Sequence, residues 1–243
     1  MILEGSLSVK AALQNGRRKV HRLLIDEKKK DRDTGYILFL AREMNIPVER
    51  MKREDLDALA VGKTHGGVLA ETDSRIYQDL SECLKTENPF IVFLEGIEDP
   101  FNLGYIARTL AAVGCSGLMI PERDFSYSES VILKSSAGAS ESINWVMSKQ
   151  PVEDLKRLKQ EGLTCICAYR DQAIEMYDAD FKKPIVLCIG GEMRGLSRDV
   201  LKESDVNMVI PYSTDFRNAL NASSAAAAIC FEAQRQRTRG EIK

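Results

Sequence analysis

Histidine is nearly absent from this chain: His21 and His65 are the only two in 243 residues. A zinc-type site of mixed histidine and cysteine ligands therefore lacks most of its usual donors. The six cysteines, at 83, 115, 165, 167, 188 and 230, are scattered and sit mostly in apolar runs. They read as small buried hydrophobes in a reducing compartment. Cys165 and Cys167 alternate on a predicted strand, but no metal is expected. No apolar run approaches the ~18 residues of a membrane span. The start of the chain carries neither the basic nor the apolar region of a signal peptide. A cytoplasmic location with no membrane partner is the expectation. Neither G-x-G-x-x-G nor G-x-x-x-x-G-K-S/T occurs, which argues against a dinucleotide oxidoreductase or a P-loop enzyme. Internal repeats and low-complexity segments are also absent. The nearest thing, Ala222 to Ala228, reads as a tightly packed helix.

What is present is an ordinary globular composition, 44% apolar, long enough for one large domain or two smaller ones. The net charge of −2 conceals an asymmetry. Residues 1–72 carry 14 Lys and Arg against 11 Asp and Glu, a net +3, while the remainder nets −5. Arg17, Arg18, Lys19 and Lys28 to Lys30 crowd the first thirty residues. Such a patch is either an electrostatic footprint for nucleic acid or a solvated face.

Hydrophobic periodicity divides the chain into a compact α/β unit over 1–72, a connecting stretch over 73–88 and a second α/β domain over 89–243. In the first, helices are predicted at 6–15, 34–44 and 53–60, with strands at 20–25 and 68–71. In the second, strands at 90–95, 117–120, 163–169, 185–190 and 206–211 interleave with helices at 102–113, near 129–137, and at 151–161, 197–203 and 218–237. That alternation predicts a parallel sheet covered by helices.

Three segments at the carboxyl ends of predicted strands stand out, where ligands of open α/β sheets collect. The first is Asn102-Leu103-Gly104-Tyr105-Ile106-Ala107-Arg108. Asn102 is placed to cap a helix, and Gly104 and Arg108 share a face four residues apart. Arg108 there is either an RNA or phosphate contact or a solvated side chain. The second is Gly190-Gly191-Glu192-Met193-Arg194-Gly195-Leu196-Ser197, whose glycines expose backbone groups to a bound molecule. The third runs from Ile210-Pro211 to Ser224, with Asn218 or Asn221 starting the last helix and Ser223 in its first turns.

In this order the segments resemble the SpoU (TrmH) family of RNA 2′-O-ribose methyltransferases, of the SPOUT class. Asn102 to Arg108 matches its N-x-G-x-x-x-R motif, and Gly190 to Leu196 its G-x-E-x-x-G-L/M motif. Ile210-Pro211 with Leu220-Asn221-x-Ser223 matches its I-P…S-L-N-x-S motif. Lys134 to Glu141 is similar to the family's K-x-S-x-G-A-x-E stretch. The first domain resembles the family's ribosomal-protein-like substrate-binding domain, with Thr64-His65-Gly66-Gly67-Val68 at its H-x-G-hydrophobic signature. The chain departs from the pattern at Ala219, where the family has serine.

The resemblance implies a deep trefoil knot, S-adenosylmethionine as cofactor, structured RNA as partner and a homodimer. It further implies a cofactor pocket lined by Gly190, Gly191, Glu192, Ile210 and Leu220. Arg108 would hold the RNA and stabilise the attacking oxygen, Asn102 would orient its loop and Arg108, Glu192 would fix the cofactor loop or pair with an arginine, and Asn221 and Ser223 would complete the site. Arg17, Arg18, Lys19 and His65 would contact RNA, with ribosomal RNA preferred to tRNA. The alternative, motivated by Ala219, is a catalytically impaired RNA-binding or ribosome-assembly factor of the same fold.

Overall fold

The computed structural model describes residues 1–62, 64–216 and 218–238. Two compact units emerge: Met1–Ile76 with Asp124–Ser142, and Tyr77–Arg123 with the chain from Ile143 onward. The segment 124–142, which includes the Lys134 to Glu141 stretch, thus packs with the N-terminal residues.

In the first unit the order is β1 (Ile2–Glu4), α1 (Ser6–Asn15), β2 (Val20–Asp26), α2 (Arg32–Glu43), β3 (Val48–Met51), α3 (Arg53–Leu59) and β4 (Val68–Thr72). The strands form a sheet in the order β1-β4-β2-β3, with β1 and β2 antiparallel to β4 and β3 parallel to β2. Helix α1 ends where Gly16 turns left-handed at φ 61°, a conformation that glycine adopts without steric cost. Asp31 caps α2 by accepting from the Thr34 amide. Leu3, Val9, Leu23, Ile25, Ile37 and Val68 make the core, joined by Leu133.

The same unit buries an ionic cluster. The Arg18 guanidinium donates to Glu129 at 2.9 Å and to both carboxylate oxygens of Glu141 at 3.0 and 3.2 Å. Arg75 reaches Glu141 at 2.6 Å and the Ser140 carbonyl at 2.7 Å. The side chains of Arg18 and Glu141 are wholly inaccessible.

The second unit begins with α4 (Leu80–Cys83), β5 (Phe90–Glu95), α5 (Pro100–Ala112) and β6 (Gly117–Pro121). After α6 (Glu129–Ser135), which lies in the first unit, follow β7 (Trp145–Ser148), α7 (Pro151–Gln160), β8 (Thr164–Ala168), β9 (Ile174–Glu175), β10 (Ile185–Gly190), α8 (Arg198–Lys202), β11 (Val206–Val209) and α9 (Ala222–Thr238). All neighbouring strands pair in parallel, in the order β7-β6-β5-β10-β8-β11-β9. This is the parallel α/β architecture expected from the alternation, and the insertion of β10 between β5 and β8 fits the knot that the resemblance implies. From β5 the chain runs outward through β6 and β7, then returns to build the other half. The β5/β10 boundary is therefore the topological switch point, where a crevice opens at the strand ends. Among the described residues no helix is long and apolar enough to cross a membrane.

Candidate functional site

At the switch point Gly190 pairs with Glu95, so the loops after β5 and β10 leave the sheet side by side. The Gly191 amide donates to the Glu95 carbonyl at 2.7 Å, and the Ser197 amide to the Glu95 carboxylate at 2.6 Å. Between them the loop closes on itself through the Gly195 amide and the Gly191 carbonyl, 2.9 Å apart. The glycines are sterically required. A Cβ on Gly190 would lie 2.3 Å from the Gly195 carbonyl carbon, and one on Gly191 2.1 Å from the Gly96 oxygen. Both obstacles are backbone and cannot swing aside.

Glu192 joins the three segments. One of its carboxylate oxygens accepts from the Asn102 side-chain amide at 3.5 Å and from the Ala222 backbone amide at 3.2 Å. The latter is a free N–H at the start of α9, where a negative charge is favourable. Asn102 is free to make this contact because it is not the cap of α5. That cap is Asp99, which accepts from the Phe101 amide at 3.0 Å, with Pro100 in the first turn. The expected cap at Asn102 is thus corrected: the cap lies three residues earlier, at Asp99, since Pro100 suits the first helical position.

At α9 the capping residue is Asn221. Its side-chain oxygen accepts from the Ser224 amide at 2.8 Å and the Ser223 hydroxyl at 3.1 Å. Just before it, the Leu220 amide donates to the Tyr212 hydroxyl at 3.2 Å.

These loops enclose a cavity of about 510 Å³, within the size range of small-molecule sites. Gly190, Gly191, Glu192, Ile210 and Leu220 all line it, as does Ala219. Tyr212, Ala225 and Ile229 line it too, and sequence reasoning missed them. The two α9 residues lie beyond the motif at helical spacing, and Tyr212 follows Ile-Pro without a motif letter of its own. Arg108, Asn221 and Ser223 do not line the cavity; Arg108 is exposed on α5.

Two of the four N-terminal RNA candidates change character. Arg18 is buried against Glu129 and Glu141, so its guanidinium is committed to the interior and unavailable to a phosphate. His65 is 1% exposed. Its Nδ1 accepts from the Gly67 amide at 3.3 Å and its Nε2 donates to Asp57 at 2.7 Å. It locks the turn before β4, and the bond holds the Asp57 carboxyl below its ordinary value. Lys19 is exposed and Arg17 partly so.

Residues 89–231 match the sequence profile of the SpoU rRNA methylase family, and residues 2–78 match that of an RNA 2′-O ribose methyltransferase substrate-binding domain. The chain belongs to the SpoU rRNA methylase family. It is 32% identical to the 23S rRNA (guanosine-2′-O-)-methyltransferase RlmB of Pseudomonas putida, over 96% of this chain and 95% of that one. To YacO of Bacillus subtilis, assigned to the TrmH family of tRNA/rRNA methyltransferases, it is 30% identical over 90% of each chain. The SpoU methyltransferase AviRb of Streptomyces viridochromogenes, solved with AdoMet, superposes with a TM-score of 0.83 at 24% identity, over 98% of this chain and 91% of that one. The SpoU fold and the RNA-methylating family that the motifs pointed to are therefore established.

Proposed function

We propose that this SpoU protein transfers a methyl group from S-adenosylmethionine to a ribose 2′-OH of ribosomal RNA. The observation that carries the reading is the convergence of all three motifs on Glu192 beside the cavity. Gly190, Gly191, Ile210 and Leu220 would hold the cofactor largely through backbone groups, because glycine walls admit a ligand against the main chain. Bound there, S-adenosylmethionine supplies an already activated sulfonium methyl, so the protein's task is positioning and charge stabilisation. Glu192 sets the loops by tying α5 to α9 through Asn102 and the Ala222 amide. Asn221 and Ser223 fix the start of α9.

Arg108 works on the RNA. A guanidinium has a pKa above ~12 and does not surrender its proton readily. It binds the neighbouring phosphate and stabilises charge developing on the 2′ oxygen, for which its exposed side chain on α5 is open to RNA. Residues 1–72 grip the RNA with Arg17 and Lys19, 73–88 link, and 89–243 carry the chemistry, although residues 239–243 lie outside the described ones. A relative named for 23S rRNA favours ribosomal RNA over tRNA as substrate, and with it a cytoplasmic location. The protein acts as a homodimer. Phe101 and Tyr105 on α5 and Phe231 on α9, each about half exposed, are available for a second copy.

Ala219 favours one second reading, an impaired RNA-binding factor, because it lines the cavity where the family motif has serine. Incubation with labelled S-adenosylmethionine and rRNA or tRNA from cells lacking the gene separates the two. Ribose-mapped label in rRNA supports the enzyme. RNA and cofactor binding without transfer, on immature as well as mature rRNA, supports the second reading.

A further inference from the structure

The sheet face turned away from the cavity holds a group of side chains that methyl transfer does not use. Side chains alternate along a strand. Ala168 of β8 and Ile189 of β10 line the cavity, so Cys165, Cys167 and Cys188 point to the opposite face. There they join a core that contains Leu155, Leu158 and Val200. Register brings them together, since Cys167 pairs directly with Cys188 across the two parallel strands. The three sulfurs lie within 4.8 Å of one another, and those of Cys165 and Cys188 are 3.7 Å apart. All three residues are fully buried, and none forms a disulfide. Sequence spacing shows only the Cys165/Cys167 pair; the third member arrives through strand pairing.

We infer that Cys165, Cys167 and Cys188 form a three-sulfur site for one soft cation, cuprous copper. Metal–sulfur bonds of about 2.3 Å radiating from the centre of a planar triangle place the sulfurs about 4.0 Å apart, and the observed spacing brackets that value. Thiolate ligands select soft ions such as Cu(I). Zinc prefers a fourth ligand, and among the described residues no histidine or carboxylate joins the cluster. Leu155, Leu158 and Val200 pack in the same core as the three sulfurs, and the carboxylate beside them, that of Asp205, is taken up by the Cys165 amide at 2.8 Å and by Lys159 at 2.9 Å. Binding is ligand exchange: copper–sulfur bonds replace those to the ion's carrier, thiol protons pass to the buffer, and neither copper nor sulfur changes oxidation state. A site this deeply buried loads as the chain folds.

The test uses the full chain, refolded anaerobically with cuprous ion and then dialysed against a cuprous chelator. One copper per chain should remain, with sulfur-to-copper charge-transfer absorption and a copper–sulfur shell in X-ray absorption. Cys165→Ala and Cys188→Ala should retain at least tenfold less. Cys83→Ala, which removes a buried thiol of the same core outside the triad, should retain the full amount. Should the triad variants fail to fold, the wild-type thermal midpoint decides: it should rise with cuprous ion, because a ligand bound only by the native state stabilises it. Complete loss of copper to the chelator, equal retention by the triad variants or an unmoved midpoint overturns the site, and selective retention of zinc overturns its assignment to copper.

Discussion

Asn102 and Glu192, ninety positions apart in the chain, meet at 3.5 Å, and the same Glu192 oxygen takes the first amide of the last helix. One carboxylate thus ties the helix that carries Arg108 to the helix that closes the cavity. Hydrogen bonds to a charged group contribute about 1.5–3 kcal/mol each. Counting only the shorter of the two, to the Ala222 amide at 3.2 Å, Glu192→Ala should weaken S-adenosylmethionine binding by roughly 10- to 150-fold, as read by calorimetry. Glu192→Gln keeps an acceptor oxygen and should lose less. Equal affinities for the wild type and the alanine variant would remove Glu192 from the cofactor loop.

Gly191→Ala tests the close approach of the two loops. Its Cβ would sit 2.1 Å from the Gly96 oxygen, so one backbone must move. Overpacking of this kind costs about 1–3 kcal/mol. A lower thermal midpoint and a loss of cofactor binding are both expected, whereas a fully active variant would mean that the loops are not in contact.

Arg18 and Lys19 are neighbours in sequence with opposite fates. Arg18→Met takes the guanidinium from buried Glu129, which keeps only the Arg75 backbone amide, and leaves Arg75 as the remaining cation on Glu141. Breaking a buried pair in this way costs about 3–5 kcal/mol, visible as a large drop in thermal midpoint. Lys19→Ala should leave the midpoint alone and weaken RNA binding, lowering the slope of log K against log salt by about 1 if one phosphate contact is lost. An unchanged salt slope would take Lys19 out of the RNA contact.

Asp31 caps α2 and is paired with Lys29 at 2.6 Å. The Lys29 bond, followed by that from the Thr34 amide, holds its carboxyl well below the ordinary range. A depressed folded value means that this stabilisation is fully present above the unfolded pKa of about 4 and is lost as pH falls through the folded one. Asp31→Asn keeps a capping oxygen without the charge. The midpoint gap between wild type and variant should be constant at neutral pH and shrink on acidification below about pH 4. A gap that is the same at acid and neutral pH would contradict the pairing.

Much of this architecture was legible because its central strands are continuous apolar runs. Phe90–Glu95 and Ile185–Gly190 are each buried almost throughout, as parallel strands covered on both faces should be. The strands that escaped are short or at an edge. Val48–Met51 is largely exposed and borders the first sheet, and Ile2–Glu4 and Ile174–Glu175 span only a few residues. Of the site, the glycine loop and Ile210 were legible because backbone demands leave a residue-type signature. Tyr212, Ala225 and Ile229 were not, since a cavity wall contributed by a helix face looks like core. Arg18 misled for a related reason: a basic run marks charge, but not which member turns inward to a glutamate more than a hundred residues away.

The most direct test of the account measures cofactor affinity and methyl transfer in parallel for wild type and Arg108→Ala. Arg108 stands outside the cavity, so the variant should bind S-adenosylmethionine as the wild type does while methyl transfer to ribosomal RNA falls by at least about 100-fold, a barrier increase of about 2.7 kcal/mol. Full transfer by the variant, or loss of cofactor binding equal to the loss of transfer, would contradict the division of labour between the Glu192 junction and Arg108.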